Sequence, residues 1–476
     1  MDGVDTSTCT CILFQNRTRD ITLVDIPTSI AVAQGTDDTI LSIPALEKPY
    51  VIDPEPKTAK GKRNLTKYLA YLSAIHTRQQ DDIEGALETI RRHVSGPWCK
   101  PRKLLTQDPK PRQGNKSMDV DDPEKELDAC LREWSGSKGA KGAKGATEAF
   151  NFDQMMAAIN TSFDPIASLD ADQWFMSCKP AADDADEPLE GEMARPGSDD
   201  ATGNAIVVPE EREPWKPAFH NADNYTVKLT VSRSGARTVG EQEYSFRIPP
   251  KSAFFFTDAE EPGSFRASLR DLADEYALPR RFDFVLLDPP WPNASAKRKG
   301  DYEQFGGIPH LKRQIGRMDI WDCINRNAIV GVWITNSAKG RESVTGPNGI
   351  FSTWNVGLFE EWIWIKTTVS GEPVSNMDSV WKKPYETLLL GRAAPNAVTR
   401  MADTANIKRR VIAAVPDIHS RKPCLKELIE PYMPNPKDYS AIEIFSRYLV
   451  SGWTSCGNEV LKFNWDKHWA SGSEDK

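Results

Sequence analysis

Four residues in the middle of the chain, Asp288-Pro289-Pro290-Trp291, combine groups that could do chemistry on an amino nitrogen. An ionised carboxylate only accepts hydrogen bonds, and each proline keeps a carbonyl acceptor while lacking a backbone donor. The turn is therefore a cluster of acceptors. Its matching partner is an amino group with two hydrogens, such as N6 of adenine. That nitrogen is a poor nucleophile because its lone pair is delocalised into the ring. Acceptors on both N–H bonds would pull it towards a tetrahedral shape and free the pair for attack on a methyl group. Trp291 offers a flat face on which a base can stack. The plain alternative is that Pro-Pro ends a strand and Trp291 packs in a core.

What precedes the turn positions it. Phe282-Asp283-Phe284-Val285-Leu286-Leu287 is an apolar run of the kind that forms a buried strand. Pro289 favours an extended Asp288 and stops the ladder there. Asp288 thus stands at the carboxyl end of a strand, where open α/β sheets bind ligands. Further strand candidates cover residues 328–335, 362–366, 387–390, 410–415, 443–445 and 460–463, with helical patterns at 309–326 and 424–430. Such alternation predicts an α/β fold with a mostly parallel sheet covered on both faces. Residues 253–258 read as a strand ending in an acid, and 226–232 and 241–248 as strands joined at Ser234-Gly235. No GxGxxG, Walker or GxSxG motif occurs, which argues against nicotinamide enzymes, P-loop NTPases and α/β-hydrolases.

The N-terminal part reads differently. Short alternating runs between residues 10 and 51, Ile30-Ala31-Val32-Ala33 among them, predict a small β region. Residues 68–94 have apolar positions at helical spacing, read as two helices. Basic residues flank them: Lys57, Lys60, Lys62, Arg63 and Lys67 before, and Arg91, Arg92, Lys100, Arg102, Lys103, Lys110 and Arg112 at the end and after, with Trp98 among the second group. They are either a phosphate-tracking surface or solvated loops. The expected division is an α+β accessory domain at 1–105, a disordered linker at 106–147, a short helical segment at 148–180, an acidic disordered insert at 181–213, a β-rich segment at 214–250 and a catalytic domain at 251–476.

Across 476 residues the net charge is −8, so any nucleic-acid binding must use local basic patches. The eight cysteines show no zinc spacing and fit free thiols in a reducing compartment; no metal is expected. Neither a signal peptide nor a membrane span is expected.

The Asp-Pro-Pro-Trp turn resembles that of the MT-A70 family of S-adenosylmethionine-dependent adenine N6-methyltransferases. The resemblance runs from about Phe254 to Phe463. It is carried also by Phe256-Thr257-Asp258, Lys383-Pro384-Tyr385-Glu386 with Leu390-Gly391-Arg392, His419-Ser420-Arg421-Lys422-Pro423, Glu443-Ile444-Phe445-Ser446-Arg447 and Gly452-Trp453-Thr454-Ser455-Cys456-Gly457-Asn458-Glu459. The last block is most similar to the methyltransferase-like protein 4 branch, which has its own N-terminal extension and is not the obligate heterodimer type. The resemblance implies a Rossmann-like domain with permuted motif order. It also implies S-adenosylmethionine as cofactor, leaving S-adenosylhomocysteine as product.

By that resemblance, Asp288, Pro289, Pro290 and Trp291 form the catalytic turn. Asp258, Asp288, Lys422, Phe445, Arg447, Asn458 and Glu459 would bind the cofactor, Lys422 through the methionine carboxylate. Tyr302, Glu386 and the basic loop residues Lys297, Arg298 and Lys299 would meet the substrate. Ser446 stands where related enzymes have a small residue in a Gly-containing turn. The implied activity is on RNA, a 2′-O-methyladenosine in a small nuclear RNA being one candidate target, with DNA as runner-up. A non-enzymatic paralogue that binds or scaffolds is the competing class. A nuclear location without an obligate partner subunit is expected.

Overall fold

The computed structural model describes residues 10–50, 59–105, 127, 128, 131, 134, 174–181, 212–233, 242–257, 263–292, 307–378 and 383–471; for 59–75 and 242 it describes the backbone alone. In chain order the strands are β1 (Ile12–Gln15), β2 (Ile21–Val24), β3 (Thr39–Ile40), β4 (Trp174–Pro180), β5 (Glu213–Pro214), β6 (Ala218–His220), β7 (Val227–Arg233), β8 (Gln242–Ile248), β9 (Ala253–Phe255), β10 (Phe282–Leu287), β11 (Ile324–Ile334), β12 (Val356–Lys366), β13 (Tyr385–Ala393), β14 (Lys408–Ala414), β15 (Ala441–Ile444), β16 (Thr454–Cys456) and β17 (Trp469–Ala470). The helices are α1 (Ile26–Gln34), α2 (Ala59–His93), α3 (Ser264–Tyr276), α4 (Gly307–Arg317), α5 (Ala338–Thr345), α6 (Ile350–Thr353) and α7 (Lys426–Ile429).

One mixed sheet runs through the molecule in the order β1-β2-β14-β12-β13-β11-β10-β15-β16-β9-β6. β10 lies at the centre of a parallel block, between β11 and β15, with β16 and β9 beyond. β13 is antiparallel to both its neighbours. The expected α/β fold is therefore what this chain adopts. Side chains alternate across the sheet as the pleat requires. Val285 and Leu287 face α3, α4, α5 and α6, and Phe284 and Leu286 face α1 and α7, so both sides of β10 are buried.

The structure corrects several N-terminal expectations. Ile30-Ala31-Val32-Ala33 lies in helix α1, not in a strand: Asp25 caps the helix by accepting from Thr28 N–H, and Pro27 sits in its first turn, where a missing donor costs nothing. Residues 59–93 form one helix rather than two. Most important, β2 pairs in parallel with β14, so β1 and β2 form one margin of the main sheet. The described part of 10–105 thus joins that sheet through β1 and β2, and packs on it through α2, rather than standing apart as an accessory domain. Helix α2 packs its apolar residues Ile83, Leu87 and Ile90 on Ile363, Val411 and Ala413. Trp98 is buried in the same core, seated over Gly371. A Cβ on Gly371 would come within 2.4 Å of its ring, and the φ of +81° suits glycine as well.

Further corrections concern the middle and the end. Trp174-Phe175 begins strand β4, not a helical segment. β4, β5, β7 and β8 form a second sheet, packed on Phe254, Phe256, Leu449 and Val460. Leu127, Leu131 and Trp134 are buried in that core, so the linker expectation for 106–147 fails at those positions. The rest of 106–147 and nearly all of 181–213 lie outside the described residues. The last part of the 309–326 helical pattern is instead a short 3-10 turn and the start of β11. Residues 460–463 are turn and 3-10 structure, the strand of that block being Thr454–Cys456.

Candidate active site

β10 delivers Asp288 to the carboxyl edge of the parallel block. The backbone N–H of Asp288 still donates to Ile444 O at 3.2 Å, the last rung towards β15. Trp291 N–H donates to Pro289 O at 2.8 Å, which folds the two prolines into a tight turn. The indole N–H of Trp291 donates to Trp333 O at 2.6 Å, and the residue is 7 % exposed. Trp291 is thus anchored in the core under α4, which corrects the reading of its face as an open stacking platform.

Around Asp288 the structure gathers charges from four parts of the chain. Lys422 Nζ donates to Asp288 Oδ1 at 2.8 Å and Oδ2 at 2.7 Å, and stands 3.5 Å from Glu386 Oε2. Arg447 Nη1 lies 3.8 Å from Asp288 Oδ2, and Arg447 Nε donates to Glu459 Oε2 at 2.8 Å. Glu386 also accepts from Lys366 Nζ at 2.6 Å. Burial opposes the charge of Glu386, but the Lys366 and Lys422 ammoniums outweigh it and hold its pKa down to about 2. Burial likewise opposes the charge of Lys422, while Asp288 and Glu386 raise its pKa above the usual lysine value.

Glu443 completes the group, and sequence reasoning did not single it out. It lies on β15 opposite Leu286, two positions below Asp288 on the same face. Burial, and after it the Asp288 carboxylate, push its pKa up to about 8 despite Lys422 and Arg447. The signal was an acid inside the buried run Ala441-Ile442-Glu443-Ile444, next to the strand that ends in Asp288. A buried charge is expensive unless paired, so such a residue is either paired or neutral.

Asp288, Lys422, Glu443, Phe445 and Arg447, with Trp333 and Ser420, line a shallow cleft open to solvent at this edge. Its rim is tightly built. Phe445 takes a left-handed φ of 64°, a conformation that costs a bulky residue about 1–3 kcal/mol. The turn after β15 thus bends at Phe445 rather than at Ser446. Ser446 N–H donates to Cys456 O at 3.0 Å, and a Cβ on Gly457 would meet Ser446 O at 3.2 Å. Two loops are held edge to edge there, with Glu459 buried and Asn458 exposed just beyond.

The charged and polar groups around this cleft suit an amino-acid-bearing cofactor. Lys422 can hold a carboxylate, Asp288 can accept from an ammonium or amine, and Arg447 with Glu459 can meet hydroxyls. Of the residues singled out from sequence, Asp288, Pro289, Pro290, Trp291, Glu386, Lys422, Phe445, Arg447, Asn458 and Glu459 lie among the described residues. Asp258, Lys297, Arg298, Lys299 and Tyr302 lie outside them. Among the described residues no cluster of ligating side chains suits a metal, and no helix is long and apolar enough to cross a membrane.

Comparison with known proteins converges on the same region. Residues 282–459 match the family model MT-A70. The chain is 39 % identical over 190 residues to the N6-methyladenosine RNA methyltransferase MTA1 of Cryphonectria parasitica, covering 40 % of this chain and 54 % of that protein. It is 34 % identical over 224 residues to the human N(6)-adenine-specific methyltransferase METTL4, covering 46 % and 43 %. It is 28 % identical over 216 residues to the DNA N6-methyl methyltransferase of Caenorhabditis elegans, covering 45 % and 53 %. The chain spans about half the length of these curated relatives.

Proposed function

Since the chain carries an MT-A70 domain, we propose that it methylates the N6 of adenine in nucleic acid, RNA in preference to DNA, with S-adenosylmethionine as donor. The observation that supports this reading is Asp288 at the end of β10, its carboxylate held by Lys422 beside Arg447 in that cleft. When bound, the cofactor supplies an electrophilic methyl group on a sulfonium.

The chain's own residues would do the rest. Lys422 holds the methionine carboxylate, and Arg447 and Glu459 meet the ribose, with Asn458 beside them and Phe445 shaping the rim. Asp288 accepts one N6–H bond. Pro289 O already takes the Trp291 N–H, so we assign the second N6–H to the Pro290 carbonyl. Two acceptors on one amine oppose its flattening into the ring and turn its lone pair towards the methyl group. Trp291 acts from below, by fixing the turn through Trp333. The adenine must leave any stack to reach this depth, by flipping or by presentation in a single strand. Lys297, Arg298, Lys299 and Tyr302 are proposed as contacts to the substrate strand, and Asp258 to the adenosine of the cofactor. A nuclear location and action without an obligate partner subunit go with this reading.

The decisive experiment is methylation in vitro of matched RNA and DNA oligonucleotides with labelled cofactor, read by nucleoside mass spectrometry. Adenosine and 2′-O-methyladenosine targets are included. N6-methylated product on RNA above DNA is expected. Product on DNA alone would move the substrate to the runner-up. Cofactor binding without product on any substrate would favour a binding or scaffold role.

A further inference from the structure

Helix α2 reaches the rim of the site from the opposite face of the sheet, and a chain of side chains there has no part in the proposed chemistry. Lys383 Nζ lies 2.6 Å from His76 Nε2, and His76 Nδ1 lies 2.9 Å from the Tyr385 hydroxyl. The hydroxyl donates to Gln79 Oε1 at 3.1 Å, and Gln79 Nε2 donates to Thr387 Oγ1 at 3.4 Å. Lys383 also donates to Met377 O at 2.8 Å. Tyr385 and Gln79 are buried, and His76 and Lys383 half-buried.

Donor and acceptor rules fix the direction of this chain. An ammonium has donors only, so His76 Nε2 must offer its lone pair to Lys383. The ring proton then sits on Nδ1 and is donated to the Tyr385 oxygen, whose own proton goes to the Gln79 carbonyl. Both ends agree, because the Gln79 amide then has its N–H bonds free for Thr387. What the chain holds is the start of β13. The Tyr385 carbonyl accepts from Asn336, just past the end of β11. The next residue, Glu386, projects to the other face, where it meets Lys366 and Lys422.

We propose that His76, with Lys383 and Gln79, is a positioning residue of the active site: the relay fixes Tyr385 so that Glu386 stays against Lys422, and it holds only while His76 is neutral. A protonated imidazole would turn its Nε2–H towards the Lys383 ammonium, two like charges in contact that must share the Met377 carbonyl, which already accepts from Lys383. Burial, and then Lys383, keep the His76 pKa below the ordinary histidine value; Asp378 and the Met377 carbonyl act the other way. Further along α2, Asp82 is committed to Arg409 of β14. Burial brings the Lys383 pKa down to about 8 against the pull of Asp378. A neutral Lys383 keeps its N–H donors, so the relay tolerates alkali and fails in acid. This rests on the proposed site for its meaning, since Glu386 and Lys422 are the groups it serves.

The test uses the full chain. With 15N-labelled histidine, NMR should show His76 protonated on Nδ1 and titrating below ordinary histidine, and Lys383→Met should raise its midpoint. Calorimetric affinity for S-adenosylhomocysteine should fall roughly fivefold between about pH 7.5 and 5.5, the low end of ordinary coupling between sites. His76→Gln, which cannot ionise, should lose that acid dependence. Tyr385→Phe should bind more weakly at neutral pH while remaining folded. An ordinary midpoint unmoved by Lys383→Met would overturn the relay. So would an acid loss retained in His76→Gln, or wild-type affinity in Tyr385→Phe. If no variant or parent binds the cofactor product, the proposed function fails, and the NMR titration still decides the relay by itself.

Discussion

Lys422 meets both carboxylate oxygens of Asp288, at 2.8 and 2.7 Å, while Glu386 waits 3.5 Å away on β13. One ammonium is shared between the carboxylate at the end of the central strand and another carboxylate two strands away. Lys422 can therefore give up one carboxylate without being left unpaired, and any acid group that it accepts competes with Asp288 for its three donors. Both Asp288 oxygens are engaged by this one ammonium, so any acceptor that draws Lys422 away opens them to another donor.

Replacing Lys422 with alanine should weaken binding of S-adenosylmethionine by about 1–3 kcal/mol, roughly 5- to 150-fold, because charged partners lose their counterion. Affinity for an oligonucleotide should change far less. Calorimetry with each ligand checks this, and unchanged cofactor affinity would remove Lys422 from its assigned place.

Asp288→Ala should lower single-turnover methyl transfer by at least about 10²–10³, the usual loss for one preorganised polar contact. Folding should survive, since the backbone rung to Ile444 O and the Trp291 anchor do not involve this side chain. Near-parental turnover in a folded variant would defeat the central mechanistic claim.

Glu443 yields a pH prediction. Its pKa, about 8 in the folded protein, lies above the value of about 4.3 expected when unfolded. Between these values the native state holds a proton that the unfolded chain has released. Stability should therefore fall as pH rises through this window and level off above it. Glu443→Gln is neutral throughout, so its melting temperature should decline less between about pH 6 and 8 and exceed the parent's at the upper end. Parallel profiles for the two proteins would contradict a protonated Glu443.

Arg102 belongs to the basic group read from sequence as a possible phosphate-tracking surface, yet its side chain is 3 % exposed. It donates to Ile43 O, Val415 O and Pro416 O, beside Asp417. Arg102→Gln should cost about 3 kcal/mol in denaturant unfolding, the low end for breaking a buried pair, because Arg421 still holds Asp417. The salt slope of nucleic-acid binding should stay the same. A changed slope with unchanged stability would restore the surface role.

How far the chain could be read follows from what kind of information each part carries. β10 and its turn were legible because an apolar run stopped by Pro289 is a local statement about a buried strand and its end. Lys422, Arg447 and Glu459 were legible only through resemblance: nothing in their local sequence says that residues 134 positions apart, Asp288 and Lys422, form a pair. Ile30-Ala31-Val32-Ala33 misled because β-branched residues favour strands, while the Asp25 cap and Pro27 decide for a helix. Glu443 escaped because its importance comes from burial beside another acid, which composition does not record. The pairing of β2 with β14 escaped because register across so long a separation leaves no local trace.

That last pairing has a consequence for biogenesis. Ile21 sits opposite Val411, and the pairing between them cannot form until the later residue has left the ribosome. At about 5–20 residues per second, the interval between the two is roughly 20–80 s. During it the apolar residues of β2 and α1 have no sheet to join. Throughout that interval the nascent chain carries this apolar segment without the partner strand that later covers it. Fragments confined to the matched region 282–459 would inherit the converse defect, an unpaired β14 edge open to association with other chains.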